Sequence, residues 1–147
     1  MDLLLKEYDL WDLFLHKNQF PYLGKSYAWA KGEFKGVNQM TSNQRDELFD
    51  LIIPEWEMAV NCTYGFYWTN VACAGNRTPH LHWHLIPRRQ RPITRHGITF
   101  IDPNPEGNYS PYERRELPDE VLFQIRNTLR VPLNDVDPLL LSVLDLS

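Results

Sequence analysis

The chain has 147 residues, a formal net charge of −4 at pH 7, 43% hydrophobic residues and 23% charged residues. That length supports one domain with a proper core rather than two. The composition is that of a soluble globular protein, and the acidic balance makes nucleic acid an unlikely partner, because nucleic-acid binders usually carry a basic footprint.

In chain order, the first residues carry acids beside a short apolar run, unlike a secretory leader, so Cys62 and Cys73 are expected as reduced thiols in a cytoplasmic protein. No stretch is long and apolar enough for a membrane-spanning helix. Residues 9–16 read as a strand or a short helix, Pro21-Tyr22-Leu23-Gly24 as a turn, and Ser26 to Lys31, alternating in size, as a strand. A loop covers Gly32 to Asn38. Thr41 with Gln44 three residues later is expected to form a capping box, and Leu48, Leu51 and Ile52 continue a helix that Pro54 should kink or end, with a resumption through Trp56 and Met58. Gly65 to Ala72 is aromatic and β-branched, a strand. After the loop Ala74 to Thr78, a second strand is expected over 79–86. The loop from Gly75 to Pro79 is too short for a parallel crossover, so the two strands should pair as a hairpin. Asp102 to Asn108 is irregular. A helix starts at Leu117-Pro118-Asp119-Glu120, presents Val121, Leu122, Ile125 and Leu129 on one face, and is expected to stop at Pro132. The apolar run Leu139 to Leu144 should dock on the core or on a partner chain. This order of elements predicts an α+β fold with an antiparallel sheet.

The most informative run is His80-Leu81-His82-Trp83-His84, which holds three of the chain's five histidines. Strand side chains alternate between faces, so the spacing puts three imidazoles on one face and Leu81, Trp83 and Leu85 on the other. Imidazole near neutral pH serves as nucleophile, general acid or base, or metal ligand. Arg88, Arg89, Arg91 and Arg95 follow, as a solvated strand exit or as a lure for polyphosphate.

Ala74-Gly75-Asn76-Arg77-Thr78-Pro79 followed by the triad and Pro87-Arg88 resembles the signature of the histidine triad (HIT) superfamily. The resemblance is specific over 70–88 and extends loosely across residues 13–90. It implies a HIT-like antiparallel sheet with a packed long helix, followed by the C-terminal helix read above. The whole of 1–147 would be one domain, with an extension from about 91 that the resemblance does not cover.

The resemblance also implies a nucleotidyl hydrolase or transferase acting on the α-phosphate of a nucleoside phosphate, either a dinucleoside polyphosphate or a phosphoramidate. His82 would be the nucleophile and form a covalent nucleotidyl-histidine. His84 would assist the phosphate or the leaving group, and His80 would hold the nucleophile's tautomer. No cofactor and no metal is required by that scheme, and a homodimer is expected. Asn76 stands where the family usually has Gln. Arg77 stands where Ser or Thr is common, either pairing with phosphate or facing solvent. Asn70 lies one residue from the position of the family's leaving-side amide. Lys25 replaces the histidine of a frequent Gly-His pair, and Asn18, with His16 and Lys17, lies where a ribose contact is expected. Two other readings use the same triad: a metal-binding protein, in which the imidazoles ligate zinc or copper, and a catalytically silent nucleotide-binding protein.

Overall fold

The computed structural model describes residues 1–134. The apolar run at Leu139 to Leu144 lies outside the described residues. Alternation builds the sheet. In β2 (Trp11–Leu15), Trp11, Leu13 and Leu15 are buried while Asp12 and Phe14 are half-buried. In β3 (Ser26–Ala30) the buried residues are the small ones, Ser26, Ala28 and Ala30, and Tyr27 and Trp29 face the other way. One face therefore packs on helices and the other stays open with large aromatic side chains.

Five antiparallel strands run in the order β1-β2-β3-β5-β4, with β1 at Leu4–Glu7, β4 at Trp68–Ala72 and β5 at His82–Arg88. β4 and β5 pair as expected, with Asn70 opposite Ile86 and Ala72 opposite His84. β5 starts later than the expected 79–86. His80 lies outside it, because its N–H closes a turn onto the Thr78 carbonyl at 2.8 Å. The first residues, read only as a short apolar run, form β1. A small hairpin of β6 (Ile93–Arg95) and β7 (Ile98–Phe100) was also invisible in the pattern, since strands this short carry too few residues to show alternation.

The helical layer begins at α1 (Ser42–Asp46) with the expected capping box, in which the Thr41 hydroxyl accepts from the Gln44 N–H at 3.1 Å and the Gln44 side chain accepts from the Thr41 N–H at 2.8 Å. Pro54 neither ends nor breaks the helix. A π-helical turn, Glu47–Ile52, precedes α2 (Ile53–Thr63), and Pro54 sits in the first turn of α2, where a missing N–H costs least. Trp56 anchors this layer. It is fully buried, and its indole N–H donates to the Ser26 hydroxyl at 3.0 Å.

α3 (Asp119–Asn134) packs on α2 and β1. It runs past Pro132, where the sequence reading ended it. Burial of Leu129 and Leu133 holds the last turn, at about 1.5–3 kcal/mol for each buried leucine. Between β7 and α3 the chain is irregular, as the Asp-Pro-Asn-Pro run predicts. Among the described residues no helix is long and apolar enough to cross a membrane.

Candidate active site

The open face of the sheet forms the floor of a cleft of about 870 Å³. Cross-strand pairing sets its rows. Trp29 lies opposite His82 and Tyr27 opposite His84. Phe14 extends the second row, stacked on Tyr27 at 5.3 Å between centroids. His82 and His84 both line the cleft, with ring centroids 5.1 Å apart.

His80 does different work. Its ring lies flat against Trp29, 3.9 Å between centroids at 12°, and its Nε2 contacts the Ala30 carbonyl at 2.7 Å. It is not among the residues lining the cleft. Its own carbonyl meets His82 Nδ1 at 2.6 Å. A carbonyl only accepts, so Nδ1 of His82 carries a proton and donates, and the neutral ring has its lone pair on Nε2.

His84 is half-buried, and its Nδ1 is buried with no hydrogen-bond partner among the described residues. Burial first, then the Lys25 ammonium and His82, push it down from 6.5 to about 4. His16 joins this cluster with its ring 5.5 Å from His84 and its Nδ1 accepting from the Asn18 N–H at 3.0 Å. Burial, then Lys25 and His84, push it down to about 3. Both rings are therefore neutral near pH 7.

The loop ahead of β5 supplies Gly75, Asn76, Arg77 and Thr78 to the rim. Gly75 has φ +91°, and a Cβ there would sit 3.3 Å from the Thr78 carbonyl oxygen, so the tight bend needs glycine. Lys17, Asn18 and Lys25 also line the cleft, with Tyr109, Tyr112 and Arg114 from the irregular segment. Among the described residues no Asp or Glu lines the cleft, while Lys17, Lys25, Arg77 and Arg114 do. In a chain of net charge −4 that separation makes an anion-attracting pocket.

Of the residues singled out in the sequence, the cleft brings together His82, His84, Asn76, Arg77, Asn18 and Lys25. It does not bring in Asn70, whose amide oxygen accepts from Arg88 Nη1 at 2.8 Å on β4. Arg88 and Arg89 are not a solvated strand exit: both are buried, Arg88 against Asp102 and Arg89 donating to the Gly65 carbonyl. Sequence reasoning missed Tyr27 and Trp29 as cleft residues. The signal was there, since Ser26, Ala28 and Ala30 on the alternate positions leave the aromatic face without a partner layer. Tyr109, Tyr112 and Arg114 carried no such signal, because an irregular segment has no period that assigns its side chains to a face.

The family model for the HIT domain matches residues 31–91. A comparison with curated proteins gives no match. Among solved structures, a histidine triad protein from Marinobacter aquaeolei superposes with a TM-score of 0.68 at 20% identity, covering 91% of this chain and 90% of that one. A hypothetical histidine triad nucleotide-binding protein from Sulfolobus tokodaii gives 0.66 at 17% identity, over 90% of this chain and 84% of that one. A zinc-bound histidine triad family protein from Mycobacterium smegmatis gives 0.60 at 15% identity, over 90% and 84%. These likenesses are of fold. The match to the HIT domain model over residues 31–91 takes in the triad itself, and the solved structures share the chain's fold.

Proposed function

We propose that the protein is a nucleotidyl hydrolase or transferase acting on the α-phosphate of a nucleoside phosphate through a covalent nucleotidyl-His82. The observation that carries this reading is the committed Nδ1 of His82, bonded to the His80 carbonyl at 2.6 Å, with the other ring nitrogen available in a cationic cleft without carboxylates.

Nε2 attacks the α-phosphorus as the bond to the leaving group breaks, and the bonding pair departs with that group. Water then attacks the phosphorus, the N–P bond breaks, its pair returns to Nε2, and the proton the water brings leaves the released phosphate for solvent. Imidazole suits both halves, since it attacks without first losing a proton and leaves again from a labile phosphoramidate. Arg77 and the backbone of the Gly75 loop hold the phosphate oxygens, with Asn76 and Asn18 contacting the rest of the nucleotide. Phe14, Tyr27 and Trp29 give flat apolar surface to a base. His80 acts as a positioning residue. Asn70 acts one step back, through Arg88. The name of the Sulfolobus relative, a nucleotide-binding protein, is consistent with this reading.

The metal-ligand reading has less support: among the described residues, no three His, Cys, Asp or Glu side chains converge as ligands. A homodimer forms part of the proposal. β4 is an edge strand, and it exposes Trp68 (64%) and Val71 (38%), with Phe49 (43%) exposed on the adjoining helix.

The test is a screen of nucleoside polyphosphates and phosphoramidates against the wild type and His82→Ala, with nucleotide affinity measured in parallel. The proposal expects turnover that His82→Ala abolishes while binding persists, because the lost interaction exists only in the transition state. Binding without turnover in the wild type would favour a silent nucleotide-binding protein.

A further inference from the structure

Lys25 lies just before β3 and alternates with Tyr27 and Trp29, so all three face the cleft. The rows along the floor run Trp29 with His82, Tyr27 with His84, then Lys25. The lysine lies one step beyond His84 and two beyond the nucleophile, a span of about 13 Å along the strand. It is 4% exposed. Its Nζ donates to the Tyr112 hydroxyl at 2.9 Å and lies 5.1 and 5.9 Å from the ring centroids of Tyr112 and Tyr109. Among the described residues no carboxylate forms an ion pair with it. An ammonium has three N–H donors, and one is used. A buried charge without a counter-charge is costly, and two ring faces offset that cost only in part. The partner this ammonium lacks is an anion.

We propose that Lys25, clamped by Tyr109 and Tyr112, is an anion subsite for the leaving group, which selects substrates whose α-phosphate is joined to further phosphate over those in which it is joined to an amine. This rests on the nucleotidyl-transfer reading above. When Nε2 of His82 bonds to the α-phosphorus, the bridging P–O bond breaks and its electron pair stays on the bridging oxygen. The departing phosphate carries that charge to the Lys25 N–H groups and needs no proton. A departing amine does need one. His84 and His16, held near 4 and 3, do not supply it near pH 7, and a cleft lined by four cations and no acid disfavours a free ammonium.

The test compares a dinucleoside triphosphate with the alkylamine phosphoramidate of the same nucleoside monophosphate, using wild type, Lys25→Met and Tyr112→Phe. Binding of inorganic triphosphate to each is measured by calorimetry. The wild type should prefer the anhydride. Lys25→Met should lower kcat/KM for the anhydride about 10–100-fold, the loss expected for a charged hydrogen bond, and lower the phosphoramidate value by less. Tyr112→Phe should fall between. Triphosphate binding should weaken about tenfold or more in Lys25→Met. Equal losses on both substrates, or unchanged triphosphate affinity, would overturn the subsite. If the wild type turns over neither substrate, the transfer reading fails, and triphosphate affinity alone decides Lys25: weakened by Lys25→Met it upholds the anion subsite, unchanged it overturns it.

Discussion

Arg88→Met should be among the most damaging substitutions outside the triad. Arg88 and Asp102 are 2% and 3% exposed, and they form a two-pronged pair, Nε to Oδ2 at 2.7 Å and Nη2 to Oδ1 at 2.9 Å. The same guanidinium also donates to the Asn70 side chain at 2.8 Å and to the carbonyls of Gly107 and Asn104 at 2.7 and 2.6 Å. It lies 5.5 Å from the ring centroid of Tyr22, whose hydroxyl donates to the Tyr109 carbonyl. One side chain thus ties β5 to the irregular segment that brings Tyr109 and Tyr112 to the cleft. Methionine leaves the Asp102 carboxylate buried and unpaired, which costs about 3–5 kcal/mol. Opening of the 102–107 loop to water caps the loss at that range, because the orphaned carbonyls are then solvated. In urea, with a slope of about 1–3 kcal/mol per molar, the midpoint should fall by about 2 M. The double variant Arg88→Met/Asp102→Leu should recover part of that loss, since no charge is stranded. Tryptophan fluorescence in a urea series reads both. A loss below about 1 kcal/mol for Arg88→Met, the range of an exposed pair, would refute the clamp.

His80→Ala should lower kcat about tenfold with KM little changed, because it removes a hydrogen bond and a ring stack that position His82 without touching substrate; equal effects on kcat and KM would point to general damage. NMR of the His84 and His16 rings should show no titration between pH 5 and 8, and an inflection near 6.5 would contradict their burial. The sign for stability follows: below 6.5 the unfolded chain takes up protons that the folded rings refuse, so stability falls as pH drops from about 6.5 toward 4 and is insensitive to these rings above that. Trp68→Glu should shift the light-scattering mass from dimer to monomer, and an unchanged dimer would place the interface elsewhere.

What the sequence revealed and what it hid divide along physical lines. Period-2 alternation made β3 legible, because one buried face forces the pattern; β4 was legible from its aromatic and β-branched residues, and the triad strand from its alternate histidines. The capping box was legible because its hydrogen bonds are local to Thr41 and Gln44. Proline was legible only in part: the helix continues beyond Pro54 through Trp56 and Met58, as expected, whereas Pro132 does not end α3, where buried Leu133 holds the last turn. The triad's division of labour was only partly legible. Spacing put three imidazoles in one row, yet a turn at Thr78 takes His80 out of the strand and leaves two in the cleft. The buried Arg88 clamp depends on Asp102, fourteen residues away across an irregular loop, a pairing that no periodicity encodes.

The proposed function turns on a covalent bond between a nucleotide and His82. The direct measurement is intact-protein mass spectrometry on the enzyme quenched in alkali during turnover, followed by peptide mapping. An added nucleoside monophosphate is expected on His82, formed within a single turnover and absent from His82→Ala. Turnover with no adduct, an adduct on another residue, or near-wild-type turnover by His82→Ala would contradict it.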